Sequence, residues 1–79
     1  MQVDIISPEK LLFSGEATSI KMPGVNGAFQ VLENHAPMIS TLTAGVVEME
    51  LAKNNERKTF DINGGVVEIR SNKVSLLAD

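Results

Sequence analysis

Gly45 to Ile62 reads Gly-Val-Val-Glu-Met-Glu-Leu-Ala-Lys-Asn-Asn-Glu-Arg-Lys-Thr-Phe-Asp-Ile. Val47, Met49 and Leu51 alternate with Glu48 and Glu50, and then Lys58, Phe60 and Ile62 alternate with Thr59 and Asp61. A period of two sends successive side chains to opposite faces of a pleated strand, so each half reads as a strand with one wet face. The connection Lys53-Asn54-Asn55-Glu56 is polar throughout, and paired asparagines tolerate the left-handed backbone that hairpin turns need. The segment is a β-hairpin. On it, Glu48, Glu50 and Asp61 are a solvated face rather than an acidic site, as is Glu68 further on.

Downstream, Asn63-Gly64-Gly65 carries an Asn-Gly hairpin signal, which predicts that Val66–Arg70 returns antiparallel to Arg57–Ile62. Ser71-Asn72 turns the chain again into Lys73–Ala78. Upstream, Val3 and Ile5 against Asp4 make a short strand ended by Ser7-Pro8-Glu9, and Pro8 suits an edge because it cannot donate to a ladder. Leu11–Ser14 and Ala17–Met22 read as two strands with a bulge or corner at Ser14-Gly15, and in the second Thr18, Ile20 and Met22 share a face. Gly24-Val-Asn-Gly27 is a turn before Ala28–Leu32 extends. Glu33, Asn34 and His35 form a polar tip, ordered by Pro37, after which Met38–Leu42 is apolar again. No window holds a convincing helical period: Ala36, Ile39 and Leu42 come nearest, and Pro37 with the β-branched residues counts against them. The fold class is all-β, an antiparallel β-sandwich or flattened barrel.

With 79 residues the chain holds one domain, residues 1–79, of which folding buries only about 60% of the extended surface. Hydrophobic residues at 43% and charged residues at 22% belong to a folded module, not a disordered tail. Lacking cysteine, it has no disulfide framework or thiolate metal site, which suits a reducing compartment. A small core without such staples points to a partner. The net charge of −3, with scattered Lys and Arg, argues against capture of nucleic acid or anionic lipid. Neither a signal peptide nor a run of about eighteen apolar residues occurs, so a cytoplasmic location without membrane insertion is expected.

Ser-Pro-Glu-Lys at 7–10, Leu-Phe-Ser-Gly at 12–15, Pro-Gly-x-x-Gly-x-Phe at 23–29, His-Ala-Pro at 35–37, Gly-Val-Val at 45–47, Gly-Gly-Val-Val-Glu-Ile at 64–69 and Leu-Leu-Ala-Asp at 76–79 follow one another in order. In that order and spacing the chain resembles the N-terminal domain of the epsilon subunit of bacterial F-type ATP synthase. The match runs over nearly all of the sequence. It departs in two places: the family usually has Pro-Gly before the histidine, where this chain has Glu33-Asn34, and often a carboxylate where it has Ala28. The resemblance implies a sandwich of about ten strands and a noncatalytic rotor component without a cofactor. That component clamps the foot of the gamma subunit and rests on the c-ring, so that proton flow is coupled to ATP synthesis at the cytoplasmic face of the membrane. Longer members continue past Leu-Leu-Ala-Asp into a helical hairpin. Read as a short form, this chain is expected to couple the rotor without inhibiting hydrolysis or sensing ATP.

His35 is the only histidine, and it lacks the convergent ligands or positioned nucleophile that a metal or acid–base role needs. It is either a plain loop residue or, as the resemblance implies, part of a c-ring contact with Glu33 and Asn34. Ser7, Ser14 and Ser40 have no adjacent base, and Asn63-Gly64-Gly65 lacks the context of a phosphate loop. Met38, Ile39 and Leu42, beside Met22 and Phe29, either fill one core or form part of a docking patch. The resemblance makes gamma its partner and draws Ser7, Met38, Ser40 and Leu42 toward that contact. The rival from another class is a free-standing ligand- or peptide-binding sandwich; the lack of Trp and Tyr weighs against sugar stacking. An enzyme ranks last, since nothing combines nucleophile, base and oxyanion donor.

Overall fold

A computed structural model describes all 79 residues, and every regular element in it is a strand. The strands are β1 (Gln2–Ile6), β2 (Leu11–Gly24), β3 (Gly27–Leu32), β4 (Met38–Leu42), β5 (Gly45–Leu51), β6 (Arg57–Ile62), β7 (Gly65–Arg70) and β8 (Lys73–Ala78). Hydrogen bonding runs in the order β1-β8-β7-β4-β2-β5-β6, and β3 pairs with β2. An additional pairing of β1 with the first half of β2 closes the first part of this path on itself. The result is a flattened barrel, 28 × 25 × 18 Å, whose short dimension suits two sheet layers about 10 Å apart.

β2 belongs to both layers. Its residues Leu11–Glu16 pair with β1, Ala17–Lys21 pair with β5, and Ser19–Gly24 pair with β3. β3 and β5 share Ser19–Lys21 and therefore flank opposite edges of β2. β1 leaves β2 at Glu16, close to where β3 arrives at Ser19, so the start of β1 and the end of β3 meet along one edge. The alternating positions face inward to a core of 17 residues, including Val3, Ile5, Ile20, Met22, Val47, Met49, Val67, Ile69, Val74 and Leu76. Fully burying each such side chain contributes about 1.5–3 kcal/mol.

The all-β class, the Gly45–Ile62 hairpin and the Val25-Asn26 turn are as the sequence predicts. Four expectations are corrected. Leu11–Ser14 and Ala17–Met22 are one 14-residue strand, which helps bring the count to eight rather than about ten. The irregularities lie opposite β5 between Ala17 and Ser19 and opposite β1 between Ile5 and Ile6, not at Gly15. The β6–β7 hairpin does not form, because β7 lies between β4 and β8. Gly64 and Gly65, at φ of 139° and 149°, carry the chain from one layer to the other instead of folding it back. Finally, β1 is flanked by β8 and β2 and is no edge; Pro8 sits in the turn after it.

Candidate functional site

The strand register places one apolar row across the outside of the barrel. Thr41 lies opposite Val66, Val66 opposite Leu77, Leu77 opposite Ile6, and Ile6 opposite Leu11. Val66, Leu77, Ile6 and Leu11 are 43%, 55%, 38% and 57% exposed. In the next row Ile39, 71% exposed, faces Glu68, and further along come Ser75, Asp4 and Ser14. Apart from Ile39 that row is polar, and its Asp4 end is internally bonded: Asp4 accepts from Ser14 Oγ at 2.7 Å and Gln2 Nε2 at 2.9 Å, with Lys73 Nζ 3.6 Å away. The Ser14 and Gln2 hydrogen bonds, and then Lys73, hold the Asp4 carboxyl below its ordinary value. An exposed apolar stripe bounded by a satisfied polar row has the anatomy of a protein contact surface.

The second candidate is the loop between β3 and β4. Glu33, Asn34, Ala36 and Pro37 are exposed and His35 is half-buried. Asn34 has φ of 61°, a left-handed conformation that Asn adopts more readily than most residues and Gly more readily still. His35 Nδ1 donates to the neighbouring Ala36 carbonyl at 2.7 Å, leaving its other ring nitrogen without a protein partner. Glu33 is engaged: one carboxylate oxygen pairs with the Met1 α-ammonium and the other accepts from Asn72 Nδ2 at 3.0 Å. Those bonds hold Glu33 below its ordinary carboxylate value.

The structure sorts the remaining sequence candidates. Ser7 is occupied with its own turn, exchanging hydrogen bonds with Lys10 at 3.1 and 3.3 Å. Ser40 Oγ donates to Thr41 O at 3.3 Å from a half-buried inward position. Met38 is half-buried against the core. Leu42 is 3% exposed, so as a core residue it offers no surface; the same holds for Met22. Alternation explains this: Met38, Ser40 and Leu42 share the inward face of β4, while Ile39 and Thr41 point out. Ile6, Leu11, Val66 and Leu77 were not singled out by sequence. Their signal was available in the apolar doublets Ile5-Ile6, Leu11-Leu12, Val66-Val67 and Leu76-Leu77, each of which interrupts the inside–outside alternation of a half-wet strand.

No polar or charged residue is buried, and nowhere do three His, Cys, Asp or Glu side chains converge. A groove between β2 and the β5–β6 loop is lined by Phe13, Glu16, Leu51, Lys53 and Lys58, a mixture without a convergent polar set.

Residues 1–79 match the family model described as the β-sandwich domain of the ATP synthase delta/epsilon chain. The ATP synthase epsilon chain of Chlorobaculum tepidum is 47% identical over 77 residues, covering 98% of this chain and 86% of its own length. That of Leptospira interrogans is 43% identical over 79 residues, and this chain spans 61% of it. Among solved structures, a chain of the Euglena gracilis mitochondrial ATP synthase, in a cryo-EM structure of its OSCP, F1 and c-ring, superposes with a TM-score of 0.88 at 18% identity over 96% of this chain and 48% of that one. A chain of the central stalk and c-ring of the Tetrahymena thermophila enzyme gives 0.81 at 19% identity, over 99% of this chain and 62% of that one. These two share the fold.

Proposed function

The chain belongs to the ATP synthase delta/epsilon β-sandwich family, and on that premise we propose that it is a noncatalytic rotor component that binds the gamma subunit and contacts the c-ring. In this reading it lies peripherally at the cytoplasmic face of the membrane and couples proton flow to ATP synthesis without bond chemistry of its own. The observation that carries it is the apolar row Leu11–Ile6–Leu77–Val66 with Ile39 beside it. A chain of 79 residues that leaves such a row in water gains free energy when a partner covers it, at about 25 cal/mol per Å² of apolar surface removed from water. The gamma contact therefore moves from Ser7, Met38, Ser40 and Leu42 to the outward positions of β4, β7, β8, β1 and β2. The β3–β4 loop that carries Glu33, Asn34 and His35 remains the proposed c-ring contact.

Leu77→Lys tests this surface without touching the core, since Leu77 is 55% exposed. Sedimentation or calorimetry with purified gamma subunit is expected to show at least tenfold weaker binding, with the melting temperature of the free chain within a few degrees of the parent. Undiminished affinity would remove the row from the interface. A parent chain that does not bind gamma would remove the partner.

A further inference from the structure

The β3–β4 loop is held by groups far from it in sequence. The Asn34 amide donates to Asn72 Oδ1 at 2.8 Å, and Asn72 Nδ2 donates to Glu33 Oε2 at 3.0 Å. Both ends of one side-chain amide are thus spent on two consecutive loop residues. Asn72 is itself fixed. It is half-buried in the β7–β8 turn, where Ser71 and Asn72 have φ of 53° and 58°, and its carbonyl accepts the Gln2 amide at 3.2 Å. On the other side, Glu33 Oε1 meets the Met1 α-ammonium, which also donates to Ala17 O at 3.1 Å and lies 3.4 Å from Glu16 Oε1. Met1 is anchored in turn by its side chain, one of the core residues.

We propose that Asn72, together with the Met1 α-ammonium wherever Met1 carries a free amino group, is a positioning residue for the β3–β4 loop, and that Glu33 is an internal strut of that loop instead of a partner contact. Each Glu33 oxygen already has a partner inside the protein, so the carboxylate is fixed where it stands even though its side chain is 46% exposed, whereas the second ring nitrogen of His35 and the exposed Ala36 and Pro37 carry no such tie. The strut ties the loop to the β7–β8 turn and to the start of β1. A push on the loop is then delivered to the layer that carries the apolar row, instead of being absorbed by a hinge. The functional consequence rests on reading the loop as a c-ring contact; the positioning does not.

The test separates side chain from turn. Asn72→Gly keeps a residue at ease with the left-handed backbone and removes only the amide. Asn72→Asp keeps an acceptor for the Asn34 amide but sets a carboxylate against Glu33, and adding Glu33→Gln restores a donor to face it. Hydrogen exchange and 15N relaxation on the isolated chain are read at Asn34 and His35, with β7 and β8 as internal controls. Asn72→Gly is expected to speed exchange of the Asn34 amide at least tenfold while β7 is unchanged; Asn72→Asp does the same, and Glu33→Gln on that background recovers most of the protection. A Gly-Ser pair placed ahead of Met1 is expected to loosen His35 in the same sense. Asn34 protection within twofold of the parent in Asn72→Gly, or no recovery in the double variant, would overturn the proposal. If the loop loosens as expected yet association with purified c-ring is unchanged, the positioning stands and the c-ring reading falls.

Discussion

A methyl group at Gly65 would lie 2.2 Å from the Leu77 carbonyl oxygen, on the backbone of the neighbouring strand. The backbone there, at φ of 149°, also disfavours any side chain. Gly27 shares only the second problem: its φ is 123° and nothing lies within 4 Å of an added methyl. Gly27→Ala is therefore expected to cost the backbone strain alone, about 1–3 kcal/mol. Gly65→Ala adds an overpacking cost of about 1–3 kcal/mol more, unless β7 and β8 separate. Urea titration of the two variants checks the order: Gly65→Ala must have the lower midpoint. Against a total stability of about 4–12 kcal/mol for a chain of this length, the Gly65 variant loses a large share of its margin.

Among the strands, β7 is flanked by β4 and β8 and buries Val67 and Ile69, whereas β6 has β5 alone as neighbour and buries only Ile62. Its Arg57–Glu48 ion pair lies on the surface and contributes little, at about 0–1 kcal/mol. Amides at Val67 and Ile69 are expected to exchange at least tenfold more slowly than those at Lys58 and Phe60, and equal rates would show that the barrel opens only as one unit. The same comparison explains what sequence could and could not deliver. β5 and β6 are joined by a short polar loop, and their pairing is local, so alternation was enough to predict it. β7 also follows an Asn-Gly turn signal, but its partners β4 and β8 are selected by which apolar faces can share a core, and no local pattern states that. For the loop, the polar character of Glu33, Asn34 and His35 was legible. That Asn72, from a turn nearly forty residues away, would take up two of them was not.

For the molecule as a whole, three ionisable groups tie stability to pH. Burial pulls the pKa of the Met1 α-ammonium down, but hydrogen bonding and attraction from Glu33, and then from Glu16, outweigh it and leave the pKa raised. A raised group contributes fully below its unfolded value of about 8 and loses the contribution as pH climbs through the folded value. Glu33, lowered chiefly by the Met1 ammonium and then by Asn72, and Asp4, lowered chiefly by Ser14 and then Gln2, behave oppositely. Their contributions are present above about pH 4 and vanish as pH falls through the depressed folded values. Melting temperature is therefore expected to be flat between about pH 5 and 8 and to decline on both sides. Glu33→Gln should remove most of the alkaline decline, and a variant that keeps it would assign that limb to another group.

Between the first strand and its parallel neighbour lies almost the entire chain, since Gln2 is aligned with Lys73 and Ile6 with Leu77. Closing a loop of about 70 residues costs roughly 3.8 kcal/mol of chain entropy, against roughly 1.4 kcal/mol for a five-residue hairpin loop. Synthesis delivers β1 first and β8 last. The β1–β2, β2–β3 and β5–β6 hairpins can close as they emerge, while Val3 and Ile5 wait for several seconds at ribosomal speed, about 5–20 residues per second, before β8, the strand that completes their cover, exists. The first strand of this sandwich is thus among the last to be fully sheltered, and a nascent chain carries its apolar face half-covered until β8 has been made.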